Sequence, residues 1–114
     1  MYKIYGIPNC DTVQKSLKFL KEKGIDFEFH DYKKLGISKE KLEEWLTQFD
    51  WEKLVNKKGT TWKETPENQK ATDSASAIKL MLEKTSVIKR PIIETEKIVI
   101  LGFDKTEYER IFSS

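Results

Sequence analysis

With 114 residues, 38% of them hydrophobic and 35% charged, this chain lies near the commonest single-domain size and has apolar side chains for one core but not two. Its 21 basic and 19 acidic side chains leave a formal charge of +2, which argues against a nucleic-acid binder, and no run approaches the roughly 20 apolar residues that cross a bilayer. One cysteine excludes an internal disulfide, and one cysteine with one histidine cannot build a zinc site.

The first predicted element is a strand over about Tyr2 to Ile7, closed by Pro8-Asn9 as a turn. Val13, Leu17 and Leu20 then recur at helical spacing, with Lys15, Lys18, Lys21 and Glu22 on the wet side and Gly24 as a stop, which predicts a helix from about Asp11 to Lys23. Ile25, Phe27 and Phe29 alternate with Asp26, Glu28 and His30 as in a half-buried strand, and His30 reads as exposed. Two strands joined by a helix of this length are expected to be parallel neighbours with a right-handed crossover.

Ser38 is placed to cap a helix carrying Leu42, Trp45, Leu46 and Phe49, and Asp50 a short turn carrying Trp51, Leu54 and Val55. Asn56 to Thr72 shows no periodicity and reads as a long surface loop. Asp73 or Ser74 starts another helix, with Ala75, Ile78, Met81 and Leu82 expected on one face. Pro91-Ile92-Ile93 and Lys97 to Leu101 flank Glu94-Thr95-Glu96 as an antiparallel hairpin. Asp104 and Glu107 give a capping pattern ahead of Tyr108, Ile111 and Phe112. The element order is that of an α/β, thioredoxin-like fold: a mixed four-stranded sheet with an all-helical insertion, about residues 36–84, after the second strand. One domain over 1–114 is expected.

Cys10 follows the first strand and opens the first helix. Unpaired backbone N–H groups and the positive end of the helix dipole favour thiolate over thiol there, so its pKa is expected below the free-thiol value of about 8.5. An inert buried side chain is the competing reading of a lone cysteine. Asn9 and Thr12 flank it as candidate hydrogen-bonding residues at the helix entrance. Trp45, Trp51 and Trp62 read as packing, and no metal or nucleotide motif is present.

Tyr5 to Thr12, Asn56 to Trp62, Ile88-Lys89-Arg90-Pro91-Ile92 and Ile100-Leu101-Gly102-Phe103 resemble the arsenate reductase (ArsC)/Spx family, its YffB-like branch in particular, in matching order and spacing over essentially the whole chain. The resemblance implies a thioredoxin-like fold with Cys10 in thiol or oxyanion chemistry. It also implies a cis Pro91 opposite Cys10, with Arg90 facing the substrate, and Lys58 at an oxyanion-contact position. Four departures matter. Val13 stands where Spx-type regulators carry the second cysteine of a C-x-x-C switch. Gly6 stands where arsenate reductases of this type carry a histidine. Lys58 and Gly102 stand where arginines are expected, and lysine lacks the guanidinium fork that holds a tetrahedral oxyanion bidentately.

These residues point to a single-cysteine thiol-dependent oxidoreductase. Cys10 is the expected nucleophile, Arg90, Lys58, Asn9, Thr12 and Pro91 are expected to line the substrate site, and no bound cofactor is expected. The substrate would be an oxyanion or a disulfide, and the resolving reductant glutathione, another small thiol or a glutaredoxin, since the chain has no second cysteine. The alternative is a non-catalytic regulator that binds RNA polymerase as Spx does. A cytoplasmic monomer is expected, without nucleic-acid or membrane partners.

Overall fold

The computed structural model describes residues 2–95 and 99–112. In chain order the elements are β1 (Tyr2–Gly6), α1 (Asp11–Glu22), β2 (Phe27–Asp31), α2 (Tyr32–Leu35), α3 (Lys39–Leu46), α4 (Trp51–Leu54), α5 (Thr60–Glu64), α6 (Ser74–Glu83), β3 (Ile92–Glu94), β4 (Val99–Leu101) and α7 (Lys105–Phe112). Short 3-10 turns occupy Glu67–Gln69 and Thr85–Val87. The chain divides into two compact units, one drawn from its ends, up to Asp31 and from Arg90 onward, and one from Tyr32–Lys89.

The first unit holds a mixed four-stranded sheet in the order β2-β1-β3-β4. β1 pairs with β2 in parallel, Tyr2 opposite Phe27 and Gly6 opposite Asp31, and with β3 antiparallel, Ile4 opposite Ile93. β3 and β4 form the antiparallel hairpin, Ile93 opposite Ile100, while Glu96, Lys97 and Ile98 of the expected hairpin lie outside the described residues. This is the thioredoxin-like arrangement that the element order implied.

α1 stops at Gly24 for a backbone reason. Gly24 takes φ +69, its N–H donates to the Lys21 carbonyl at 3.1 Å, and the Ile25 N–H donates to the Leu20 carbonyl at 2.9 Å, the paired bonds of a Schellman cap. The buried face of α1 is Val13, Ser16, Phe19 and Leu20, with Leu17 only half-buried. That face is rotated from the expected one because Ser16 is buried as a polar residue. Ile4, Phe19, Leu20, Ile93, Ile100 and Tyr108 form the core of this unit. The Tyr108 ring meets Phe19, Phe103 and Phe112 edge-on, with centroids 5.5, 4.9 and 5.6 Å away. Such pairs are each worth about 1 kcal/mol beyond burial.

The Tyr108 hydroxyl is fully buried and donates to the Gly102 carbonyl at 2.7 Å. A phenol has one proton, so at the 2.9 Å contact with Ser16 Oγ the serine is the donor. Burial pushes the Tyr108 phenol up to about 12, against a smaller lowering by Ser16. A raised acid pKa favours the neutral native state, so its stabilisation is complete below the unfolded value of about 10 and is lost as pH climbs from there toward 12. Wild type is therefore expected to lose up to about 1.4 kcal/mol per pH unit over that window relative to Tyr108→Phe. Paired urea melts at pH 9 and 11 check this, and parallel pH dependences would refute it.

The second unit is helical. α3 is capped by Ser38, whose hydroxyl accepts the Lys41 N–H at 3.1 Å, and buries Leu42 and Trp45. α6 starts in a reciprocal capping box: the Asp73 carboxylate accepts the Ser76 N–H at 2.8 Å and Ser76 Oγ accepts the Asp73 N–H at 3.1 Å. α3 packs on α6. The buried face of α6 is Ala77, Leu80 and Met81; Ala75 is exposed and Leu82 is 39% exposed, so the expected face is corrected. The segment expected as a long surface loop holds α5 and a 3-10 turn, and it buries Thr65 and Ala71. Elements of five and three residues are too short for their periodicity to be read. Trp45 is fully buried, whereas Trp51 and Trp62 are half-buried and share the Lys57 ammonium, 4.9 and 5.8 Å from their rings. Among the described residues no helix is long and apolar enough to cross a membrane.

Candidate active site

β1 ends at Gly6, ahead of the cysteine turn. The Cys10 N–H donates to the Ile7 carbonyl at 3.2 Å, closing a turn over exposed Pro8 and Asn9. The Gln14 N–H donates to the Cys10 carbonyl at 2.9 Å, the first bond of α1, and the Gln14 side-chain amide donates to the Pro8 carbonyl. Cys10 thus takes the N-cap position of α1, with φ −98° and ψ 125°, and is half-buried.

Its thiol feels opposed effects. Burial pushes the pKa up, but the Val13 N–H, a hydrogen bond from the Arg90 side chain, the Thr12 N–H and the charge of Arg90 outweigh it, so the pKa lies below the ordinary thiol value. The Sγ does not complete a strict capping hydrogen bond. The amides of Val13 and Thr12 and the guanidinium nevertheless favour the thiolate, as the end of a helix does for any anion. Arg90 is half-buried and leads into buried Pro91 through a cis bond, as the family resemblance implied.

The structure brings Cys10, Thr12 and Arg90 together within one unit, with Pro91 next in chain and Asn9 one residue ahead of the cysteine. Thr12 acts through its backbone amide rather than its exposed side chain. Val13, whose amide is the largest of the lowering influences, was missed because every residue type carries a backbone N–H. Lys58 is exposed in the second unit, in the turn closed by the Gly59 N–H on the Asn56 carbonyl at 3.2 Å, next to a Lys57 paired with Glu52 at 2.8 Å. Arg110 is on the surface, bound to Glu107 at 2.6 Å. His30 is half-buried rather than exposed, its ring 4.8 Å from that of Tyr5.

Two glycines at departures from the family pattern have structural causes. Gly102 is buried at φ +76, donates its N–H to the Pro91 carbonyl at 2.8 Å and accepts from Tyr108. Gly6 is buried beside Val13, and a Cβ there would lie 2.8 Å from Val13 Cγ2. Among the described residues no group of three or more His, Cys, Asp or Glu side chains could hold a metal ion.

Known proteins match this chain over nearly its full length. A protein from Haemophilus influenzae is 40% identical over 99% of this chain and 100% of its own. A solved structure of the protein YFFB (PA3664) is 39% identical with a TM-score of 0.94, covering 99% of this chain and 100% of its own. The structure of an arsenate reductase (ArsC) related protein from Brucella melitensis is 43% identical with a TM-score of 0.79, covering 99% and 95%. The ArsC family model matches residues 5–111, which takes in the cysteine turn, the Arg90-Pro91 pair and Gly102 alike. A thioredoxin-like sheet, a cysteine at the N-cap of its first helix and a match of that extent place this chain in the ArsC family.

Proposed function

We propose that this protein is a one-cysteine, thiol-dependent reductase. The observation that carries the reading is the Arg90 guanidinium beside a half-buried Cys10 thiol at a helix N-cap, a pairing that both activates the sulfur and offers a cation to an anionic substrate. The kinship with an arsenate reductase related protein supports the same chemical class.

In the disulfide form of the reaction, the Cys10 thiolate attacks one sulfur of a mixed disulfide with glutathione. The Cys10–glutathione bond forms, the substrate's sulfur–sulfur bond breaks, and the substrate leaves as thiolate and takes a proton from solvent. A second glutathione thiolate then attacks the adduct, releasing oxidised glutathione and restoring Cys10. In the sum, the mixed disulfide and one glutathione thiol give the substrate thiol and oxidised glutathione, one half of which comes from the substrate. An oxyanion substrate would be held by Arg90. One guanidinium holds such an anion less well than a ring of them, so disulfide reduction is the favoured branch.

The test is the pH profile of Cys10 alkylation by iodoacetamide together with intact mass after exposure to oxidised glutathione. A midpoint below about 8.5 and a single glutathione adduct that reduced glutathione removes are expected. An ordinary midpoint without an adduct would refute the proposal.

A further inference from the structure

Cys10 and Arg90 come from opposite ends of the chain, and their separation has to be held by something other than the local backbone. A path of hydrogen bonds runs from the helix of one to the peptide of the other. From Cys10 it runs along α1 to Ser16, whose hydroxyl donates to the Tyr108 oxygen at 2.9 Å across 92 residues of sequence. Tyr108 donates to the Gly102 carbonyl at 2.7 Å, and the Gly102 N–H donates to the Pro91 carbonyl at 2.8 Å. Arg90 precedes Pro91, and its guanidinium favours the Cys10 thiolate.

Each joint is stiff. Ser16 and Tyr108 are both 0% exposed, so water does not replace a lost partner, and Gly102 holds a φ of +76 that disfavours any other residue. A buried serine on the apolar face of α1 has no packing rationale of its own. Its polarity is explained by the phenol it meets.

We infer that the Tyr108 hydroxyl is a positioning group of the Cys10 site: acting through Gly102 and Pro91 and braced by Ser16, it sets where the Arg90 guanidinium lies relative to the Cys10 sulfur. Tyr108 touches no reacting atom and acts through the peptide that carries Arg90. The inference rests on the reading of Cys10 and Arg90 as the reactive pair.

Tyr108→Phe keeps the ring and removes only the hydroxyl. The alkylation midpoint of Cys10 is expected to rise by half a pH unit, about threefold less thiolate at pH values below the midpoint. Ser16→Ala shifts it in the same direction by less, and it carries the test if Tyr108→Phe fails to fold. Added to Arg90→Gln, either substitution is expected to move the midpoint no further, since the group being positioned is gone. The nitrogen-15 NMR signals of the Cys10 amide and the Arg90 side chain should move in both single variants. A lowered melting temperature with midpoint and signals unchanged would overturn the inference, as would an equal midpoint shift in the Arg90→Gln background. An ordinary midpoint in wild type would count against the reductase reading alone, because the NMR signals still decide whether Tyr108 holds Arg90 in place.

Discussion

Cys10→Ser is expected to abolish thiol transfer, lowering turnover by roughly 10³-fold or more, while leaving the fold at least as stable as wild type. Activity is lost because a serine hydroxyl is a poor nucleophile without a base. The chain's one histidine is not available for that task, since His30 lies on β2 with its ring against Tyr5. The fold survives because position 10 is an N-cap with extended backbone, where serine is among the preferred residues and cysteine makes no strict capping bond. The two proteins should nevertheless differ with pH. A thiol whose native pKa is lowered gives stability that is present above the unfolded value of about 8.5 and is lost as pH falls through the native midpoint. Wild type is thus expected to gain on Cys10→Ser between neutral pH and pH 9. A coupled glutathione assay and thermal melts at pH 6, 7.5 and 9 check the prediction. Turnover retained by the variant would remove Cys10 from the mechanism.

The parts of this molecule that were legible in sequence are those in which one element carries its own signal. β1, α1 and β2 were readable because strands of five residues and a helix of twelve alternate cleanly and Gly24 marks the stop. The phase of α1 differs from the expected one at Ser16, whose reason for being buried is a phenol 92 residues away. α6 is apolar on several sides, so Ala75, Ile78 and Leu82 fitted a face as well as the buried Ala77 and Leu80 do. Within the site, Cys10 and Arg90 announce themselves by side-chain chemistry. The Val13 amide and the Gly102 peptide act through backbone groups, and their contribution follows from where the fold puts them.

Restoring the family histidine by Gly6→His is expected to destabilise the protein by about 3 kcal/mol or more and to yield no more reactive cysteine. Gly6 is the buried last residue of β1, and a Cβ there would lie 2.8 Å from Val13 Cγ2, 3.4 Å from Val13 Cγ1 and 3.8 Å from Phe29 Cε1. Val13 cannot move aside easily: it is 0% exposed, and a β-branched side chain in a helix has one strongly favoured rotamer. Shortening it should relieve the clash. Gly6→His with Val13→Ala is expected to be more stable than the sum of the two single effects by about 1–3 kcal/mol, the scale of coupling between residues in contact. Urea melts of the four proteins measure that coupling, and additive effects would show that the two sites do not compete for space. The contact also unites two departures from the family pattern. The position where arsenate reductases of this type carry histidine and the position where Spx-type regulators carry a second cysteine touch in this fold, and Val13 fills the room that a side chain at 6 would take. What remains to activate Cys10 is the backbone of α1 and the guanidinium of Arg90, which is why the effect of Arg90→Gln on the thiol is the first quantity to compare among relatives that keep glycine and valine at these positions.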